Sequence, residues 1–294
     1  MELNILVSRH SAFYSPLIAS IAAGFLKDEG FTATYGVLAP GQTSRDMLHR
    51  GAAHVIQSAV SSHWGPLEKG VVDLPVHFAQ INMRDGFFLA ARETPATPFE
   101  WKMLEGRTLL ADHAAQPLAM LRYAAHVNQV DWDRIARIDA GSPEQMIDAF
   151  QQGQGDFIHL QGPAPHVLER SGQAILCVSV GASMPPVAFS SLVALPAFLD
   201  SEAAKGFIRA YRKARAWVRE ADAGTIAEAE SSFFPAVSIE ALRQAISDYQ
   251  KLGCWNGGIE IPEDLYEQSL NVFQHSGLIN RRHGYQAVVR PIGE

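Results

Sequence analysis

Four histidines stand beside short apolar runs of this chain: His10 after LNILV, His77 in LPVHFAQI, His113 after RTLLAD, and His159 in DFIHL. Each has neighbours that can make hydrogen bonds or stack. Ser11, Phe13 and Tyr14 follow His10. Gly41, Gln42, Thr43 and Ser44 follow FTATYGVL, while Gln57, Ser58, Ser61, Ser62 and His63 follow HVIQ. Gln80, Asn82 and Arg84 come after His77, Asp112 and Gln116 flank His113, and Gln161 and Gly162 follow His159. Hydroxyls, amides, imidazoles and two aromatics with few charges suit a pocket that fixes a small polar or anionic molecule by hydrogen bonds and stacking. Helix capping alone would explain Gly41–Ser44 and Ser58–Ser62, and Phe13 with Tyr14 could staple the first helix. Caps do not call for histidine at four separate places. The four lack HxH or HxxxH spacing, so nothing local demands a metal. A metal site would need them to converge, with Asp112 completing it.

The elements around these residues alternate between strand and helix. LNILV, FTATYGVL, HVIQ and LPVHFAQI read as strands. Between them lie amphipathic stretches, of which Pro16–Glu29 carries Leu17, Ile18, Ile21, Ala22 and Phe25 at helical spacing before Gly30. A second block starts near Gly86, with strands GFFLAA, RTLLAD, RIARID and DFIHL, and helices over about 117–127 and 143–151. PFEWKMLEG reads as a short helix, and 174–195 as a long β-like stretch interrupted by MPP. From Ser201 the chain is nearly all helical. Such alternation predicts mostly parallel sheets covered by helices, with ligands bound beyond the carboxyl ends of the strands, where helix N-termini offer free N–H groups. Two α/β blocks joined by two crossings predict two lobes with a cleft between them.

Composition narrows the partners. The 294 residues hold 31 acidic and 24 basic side chains for a net charge of −7, and no dense basic run offers a nucleic-acid footprint. No apolar stretch is long enough to span a bilayer. Cys177 and Cys254 lack CxxC spacing, which excludes a zinc ribbon or redox pair. No basic and apolar leader precedes the first strand, so the expected location is periplasmic if a leader was removed and cytoplasmic if Met1 is the native start.

GFLKDEGFTATY, RGAAHVIQSAV, LEGRTLLAD, GDFIHLQGPAPHVLE with GQAILCVSV, and the terminal YQKLGCWNGGIEIPEDLYEQSLNVFQHSGLI resemble, in order along nearly the whole chain, the NMT1/THI5-like branch of type-II periplasmic binding proteins. That branch includes binders of sulfonate, taurine, nitrate and pyrimidine precursors. The resemblance implies an α/β fold of two lobes joined by two hinge crossovers, with a C-terminal helical region. Residues 1–84 plus 188–294 would form one lobe and 85–187 the other, with MPPVAF as the return hinge. It implies a monomeric solute binder with a small-molecule ligand, an ABC-transporter permease as partner and no cofactor. The family's ligand loops fall on His10–Tyr14, Gly41–Ser44, Gln57–Ser61, Asp112–Gln116 and His159–Gly162, with Arg84 able to add a positive charge and His77 a further imidazole.

The same fold hosts enzymes, so a leaderless cytoplasmic enzyme working through cleft histidines is the alternative. The similar pyrimidine synthases of thiamin biosynthesis carry a lysine for pyridoxal phosphate just after the third strand and a later cysteine-rich run. Here that position falls near Ser58, no lysine lies between Lys27 and Lys69, and the cysteine run is missing. The similar aryl-sulfinate desulfinases use a cysteine in the first strand–helix loop, which here reads RHSAFYSP. Ser11 would need an adjacent base such as His10 to replace it.

Overall fold

A computed structural model describes residues 1–292. In chain order, β1 (Glu2–Val7), α1 (Ser15–Ala22), α2 (Phe25–Asp28), β2 (Thr32–Val37), α3 (Ser44–His49), β3 (Val55–Ser58), α4 (Trp64–Glu68) and β4 (Val76–Asn82) form the first block. β5 (Phe87–Ala91), β6 (Thr108–Leu110), α5 (Ala115–Val127), β7 (Ala136–Ile138), α6 (Pro143–Gln151), β8 (Phe157–Gln161), α7 (Ala164–Arg170) and β9 (Ile175–Ser179) form the second. The chain then returns through β10 (Ser190–Ala194) to α8 (Pro196–Leu199), α9 (Glu202–Glu220), α10 (Ala223–Glu230), α11 (Ile239–Leu252) and α12 (Glu263–His275).

The strands make two five-stranded sheets, ordered β2-β1-β3-β10-β4 and β7-β6-β8-β5-β9. In the first sheet β1 runs parallel to β2 and β3, and the returning β10 inserts antiparallel between β3 and β4. In the second, β6 runs parallel to β7 and β8, while β5 is antiparallel to β8 and β9. All residues of β3, β5, β8 and β10 are buried, as expected of strands covered on both faces. The parallel strands end toward one side in each sheet, so the loops that follow β1, β3, β6 and β8 can meet between the two lobes.

The two crossovers are held by close backbone packing. A Cβ on Gly86 would lie 2.5 Å from the Phe13 ring, and one on Gly181 would lie 2.2 Å from the Asp85 carbonyl oxygen. Arg84 Nη1 donates to the Gly181 carbonyl at 3.0 Å and so ties the outgoing crossover to the returning one.

Local elements differ from the sequence reading in four places. The helix expected over Pro16–Glu29 breaks at Gly24, whose φ of +85° ends α1 and starts α2. PFEWKMLEG supplies a single 3-10 turn, Trp101–Leu104. The stretch 174–195 splits into β9 and β10, which belong to different sheets. His77 lies near the start of β4 instead of at its tip. Residues 293–294 of the expected first lobe lie outside the described residues.

Candidate functional site

The loops after β1, β3, β6 and β8 line two adjoining chambers, a smaller one (inner) and a larger one (outer). The inner one, about 350 Å3, is walled by Tyr14, the β3 tip (Gln57, Ser58), Ser61 and Ser62, Phe87, the first turn of α5 and Phe189. The outer one, about 730 Å3, lies between the β1 and β2 tips, α6, α7 and the segment 234–237. Ser8, Arg9 and Gln161 line both.

Arg9 is the principal cation of this cleft. Its Nη1 meets Asp112 Oδ2 at 2.6 Å, and its guanidinium lies 5.4 Å from the Phe87 ring centroid. Asp112 is buried and also accepts from Ala114 N at 2.9 Å, just ahead of α5. No side chain caps α5, and its first turn lines the inner chamber, where Ala115 and Gln116 carry backbone N–H groups and Pro117 carries none. Gln161, only 6% exposed, makes no hydrogen bond of ordinary length through either its amide oxygen or its amide nitrogen among the described residues, although the Tyr14 phenol lies near it. A buried primary amide with both ends open is costly unless something enters to pair with it. Arg9, Gln161 and the α5 terminus together form a place for a small group bearing negative charge.

The other walls are internally satisfied. Gln57 Oε1 accepts from Ser8 N and Ser8 Oγ, Ser58 Oγ donates to Ser62 Oγ, and Ser61 Oγ donates to Gln116 Oε1 at 2.5 Å. Gln116 Nε2 also donates to the Phe189 carbonyl, so this residue at the head of α5 joins both lobes. Burial pushes the Tyr14 phenol up, opposed by Arg9 and the neighbouring Gln161 amide.

His10 lines the outer chamber, stacked on Phe234 at 4.4 Å. Its Nε2 faces the Phe233 carbonyl at 2.8 Å, which can only accept, so Nδ1 takes the Tyr35 hydroxyl proton at 2.9 Å. Burial lowers its pKa, which agrees with a neutral ring. Ser11 Oγ donates to the Gly162 carbonyl at 2.5 Å and accepts from Phe13 N. The two residues are therefore each engaged elsewhere and form no Ser–His dyad.

The remaining expected residues stand apart from both chambers. Phe13 is fully buried against Tyr14, Phe189 and Tyr249. Gly41, Gln42 and Thr43 form an exposed turn in which Thr43 caps α3 and Gln42 accepts from Ala39 N. His77 is buried, with Nδ1 on Ser191 Oγ and Nε2 on His63 Nδ1. His113 Nδ1 donates to the Ala111 carbonyl. Arg84 belongs to the hinge. His159 is fully buried one layer behind the inner chamber, stacked on Phe87 at 4.6 Å with both nitrogens unpartnered, and burial lowers its pKa to about 3. The four histidines do not converge. Among the described residues no three His, Cys, Asp or Glu side chains are grouped to hold a metal ion, and no helix is long and apolar enough to cross a membrane.

The architecture has solved counterparts. The chain superposes on the zinc-bound ligand-binding component of an ABC-type import system from Staphylococcus aureus with a TM-score of 0.75 at 14% identity, covering 99% of this chain and 97% of that one. It superposes on the alkanesulfonate-binding protein SsuA of Xanthomonas axonopodis pv. citri, solved with MOPS, with a TM-score of 0.72 at 12% identity, covering 99% and 98%. The fold is that of the two-lobe periplasmic binding proteins. In sequence, the chain is 26% identical over 288 residues to the Bacillus subtilis (strain 168) protein named "Putative binding protein YtlA", covering 95% of this chain and 85% of that one. No protein-family model matches.

Within this binding-protein fold, the residue the sequence reading passed over is Arg9. It sits in the quartet SRHS directly after β1, and its position beyond the carboxyl end of a parallel strand was the available signal. Phe87 and Phe189 were missed because they lie inside apolar runs that read as core.

Proposed function

We propose that this chain is a solute-binding protein that captures a small organic anion in the inner chamber and hands it to an ABC-transporter permease. The observation that carries the reading is the buried, doubly unpartnered Gln161 amide beside Arg9 and the uncapped start of α5. The similarity to ligand-binding components of import systems supports it. In this reading residues 1–84 plus 188–292 and residues 85–187 act as the two lobes, and the Arg84–Gly181 contact is part of the hinge. Ligand binding favours the closed arrangement by adding contacts from both lobes to one molecule. The chain works as a monomer on the outer side of the membrane that holds its permease. Placement in the NMT1/THI5-like branch belongs to this proposal too. The enzyme alternative draws no support from Ser11 and His10, whose hydrogen bonds lead away from each other.

A thermal-shift screen of small sulfonates, carboxylates and pyrimidines tests this reading, with each hit recovered and analysed chemically. A ligand that binds only the folded state raises the melting temperature by mass action. The expected hits are anions, recovered unchanged, whose effect is lost in Arg9→Gln. Conversion of a hit into product would make the cleft an active site and overturn the proposal.

A further inference from the structure

The outer chamber is larger than the inner one and has a different chemistry. Val37, Ile147, Val167, Phe234 and Val237 wall it, contributed by β2, α6, α7 and the segment after α10. Val37 is 52% exposed and Val167 37%, so large apolar side chains face water at the mouth of the cleft. Phe234 is held in place by the His10 ring stacked on it, and that ring is neutral. Among the described residues, Arg9 is the one Lys or Arg side chain that lines the chamber, and it lines the inner one too. A carboxylate, Glu144, lines it as well, held by Ser142 Oγ at 2.8 Å.

We infer that the ligand is a monoanion with an extended apolar body, its head in the inner chamber and its body in the outer one. This inference rests on the binding function proposed above and adds the ligand class. Because Arg9 and Gln161 line both chambers, an anionic group held by them in the inner chamber can carry a substituent that reaches the outer one. An apolar body there covers the exposed valines and packs on the fixed Phe234 ring. The Glu144 carboxylate disfavours a second negative charge at the far end of the ligand. The inner chamber alone would suffice for a small anion, and would give no reason for an apolar wall built from four segments beside it.

The test is titration calorimetry on the full chain with two homologous series, acetate to octanoate and methanesulfonate to octanesulfonate, and with the dianion suberate. The two series distinguish the head group. Affinity is expected to rise with chain length by roughly fourfold per buried methylene until the chamber is filled. Octanoate should bind more tightly than suberate. In the double variant Val37→Asn/Val167→Asn, both at exposed positions, the dependence on length should flatten while the shortest anions bind as before. Equal affinity along a series, or a length dependence that survives intact in the double variant, would overturn the inference and leave the binding function standing. Binding of no anion of either series would instead remove the binding function on which it rests.

Discussion

Arg9 and Asp112 face each other from the two lobes, 2.6 Å apart, with Asp112 buried and Arg9 at the junction of two chambers. The pair closes the cleft with charges that belong to the chain. An incoming anion must share Arg9 with Asp112, whose negative charge lowers the attraction the guanidinium can offer.

Opposite effects are therefore expected from the two sides of this pair. Arg9→Gln should weaken anion binding about 10- to 100-fold, the range of a lost charge-assisted hydrogen bond. Arg9→Lys should recover only part of that, because an ammonium lacks the planar fork. Asp112→Asn keeps an oxygen for Ala114 N and removes the competing charge, so anion affinity should rise severalfold while the lobes separate more readily. Calorimetric titration of the three variants decides this. Weaker anion binding in Asp112→Asn would show instead that Asp112 acts by holding Arg9 in position.

Tyr249 ties α11 to the lobe of residues 85–187. Its hydroxyl accepts from Gly162 N and donates to the Gly86 carbonyl, each at 2.8 Å, and all these groups are buried. Tyr249→Phe leaves two backbone groups without partners and should cost about 1–3 kcal/mol. Gly162→Ala would place a Cβ 2.7 Å from the same hydroxyl and 3.2 Å from His166 Cε1. Because the two changes act on one contact, the double variant should be less unstable than the sum of the single ones. A urea-unfolding cycle with additive values would refute that coupling.

His63 and His77 form a buried relay whose tautomers follow from its ends. His63 Nε2 donates to the Pro75 carbonyl, so His63 Nδ1 accepts from His77 Nε2, and His77 Nδ1 accepts from Ser191 Oγ. An added proton forces the relay to rearrange, because His63 Nδ1 can donate to His77 Nε2 only if His77 moves its own proton to Nδ1, toward Ser191 Oγ. Burial lowers both pKa values, that of His77 well below 6.5. As pH falls below 6.5 the unfolded chain takes up protons that the folded chain refuses, so stability is lost on acidification, by up to about 1.4 kcal/mol per pH unit for each histidine. Asp85, raised to about 7 mainly by burial, works in the opposite sense over part of this range. Comparing His77→Gln with the parent isolates the histidine contribution. The variant's urea midpoint should fall less between pH 6.5 and pH 5, and an equal fall in both proteins would exclude the relay as the cause.

The fold could be read from the sequence because its signals are local: strand–helix alternation, Gly30 at a helix end, and a second block starting near Gly86. The cleft was harder to read. Thr43 and Ser58 are residue types that serve caps, internal hydrogen bonds and ligands equally well, and only the packing shows that Thr43 caps α3. His77 fits a binding residue by type, yet β10 inserting beside β4 buries it. Arg9 was passed over beside a more conspicuous histidine. The outer chamber had no sequence signature, since Val37, Ile147, Val167 and Phe234 come from four distant segments and each alone reads as ordinary surface or core.

Glu230 gives a pH dependence of the other sign. It is fully buried at the end of α10, and its Oε2 lies 2.8 Å from Ser15 Oγ. The Ser15 hydroxyl also faces the Ala12 carbonyl at 2.7 Å, which can only accept. Ser15 has one hydroxyl proton for these two oxygens, and a protonated Glu230 that donates to Ser15 Oγ leaves that proton for Ala12. Burial raises the Glu230 pKa well above 4.5, in agreement. Above pH 4.5 the unfolded chain releases a proton that the folded chain keeps, so this residue lowers stability progressively as pH rises, by up to about 1.4 kcal/mol per unit until the folded group ionises. Glu230→Gln keeps the shape and a donor for Ser15 without titrating. Its stability relative to the parent should therefore grow between pH 5 and pH 8, as read from urea unfolding at both. A difference that stayed constant with pH would mean that the carboxyl is already ionised in the folded protein, and that Ser15 donates to it instead of to Ala12.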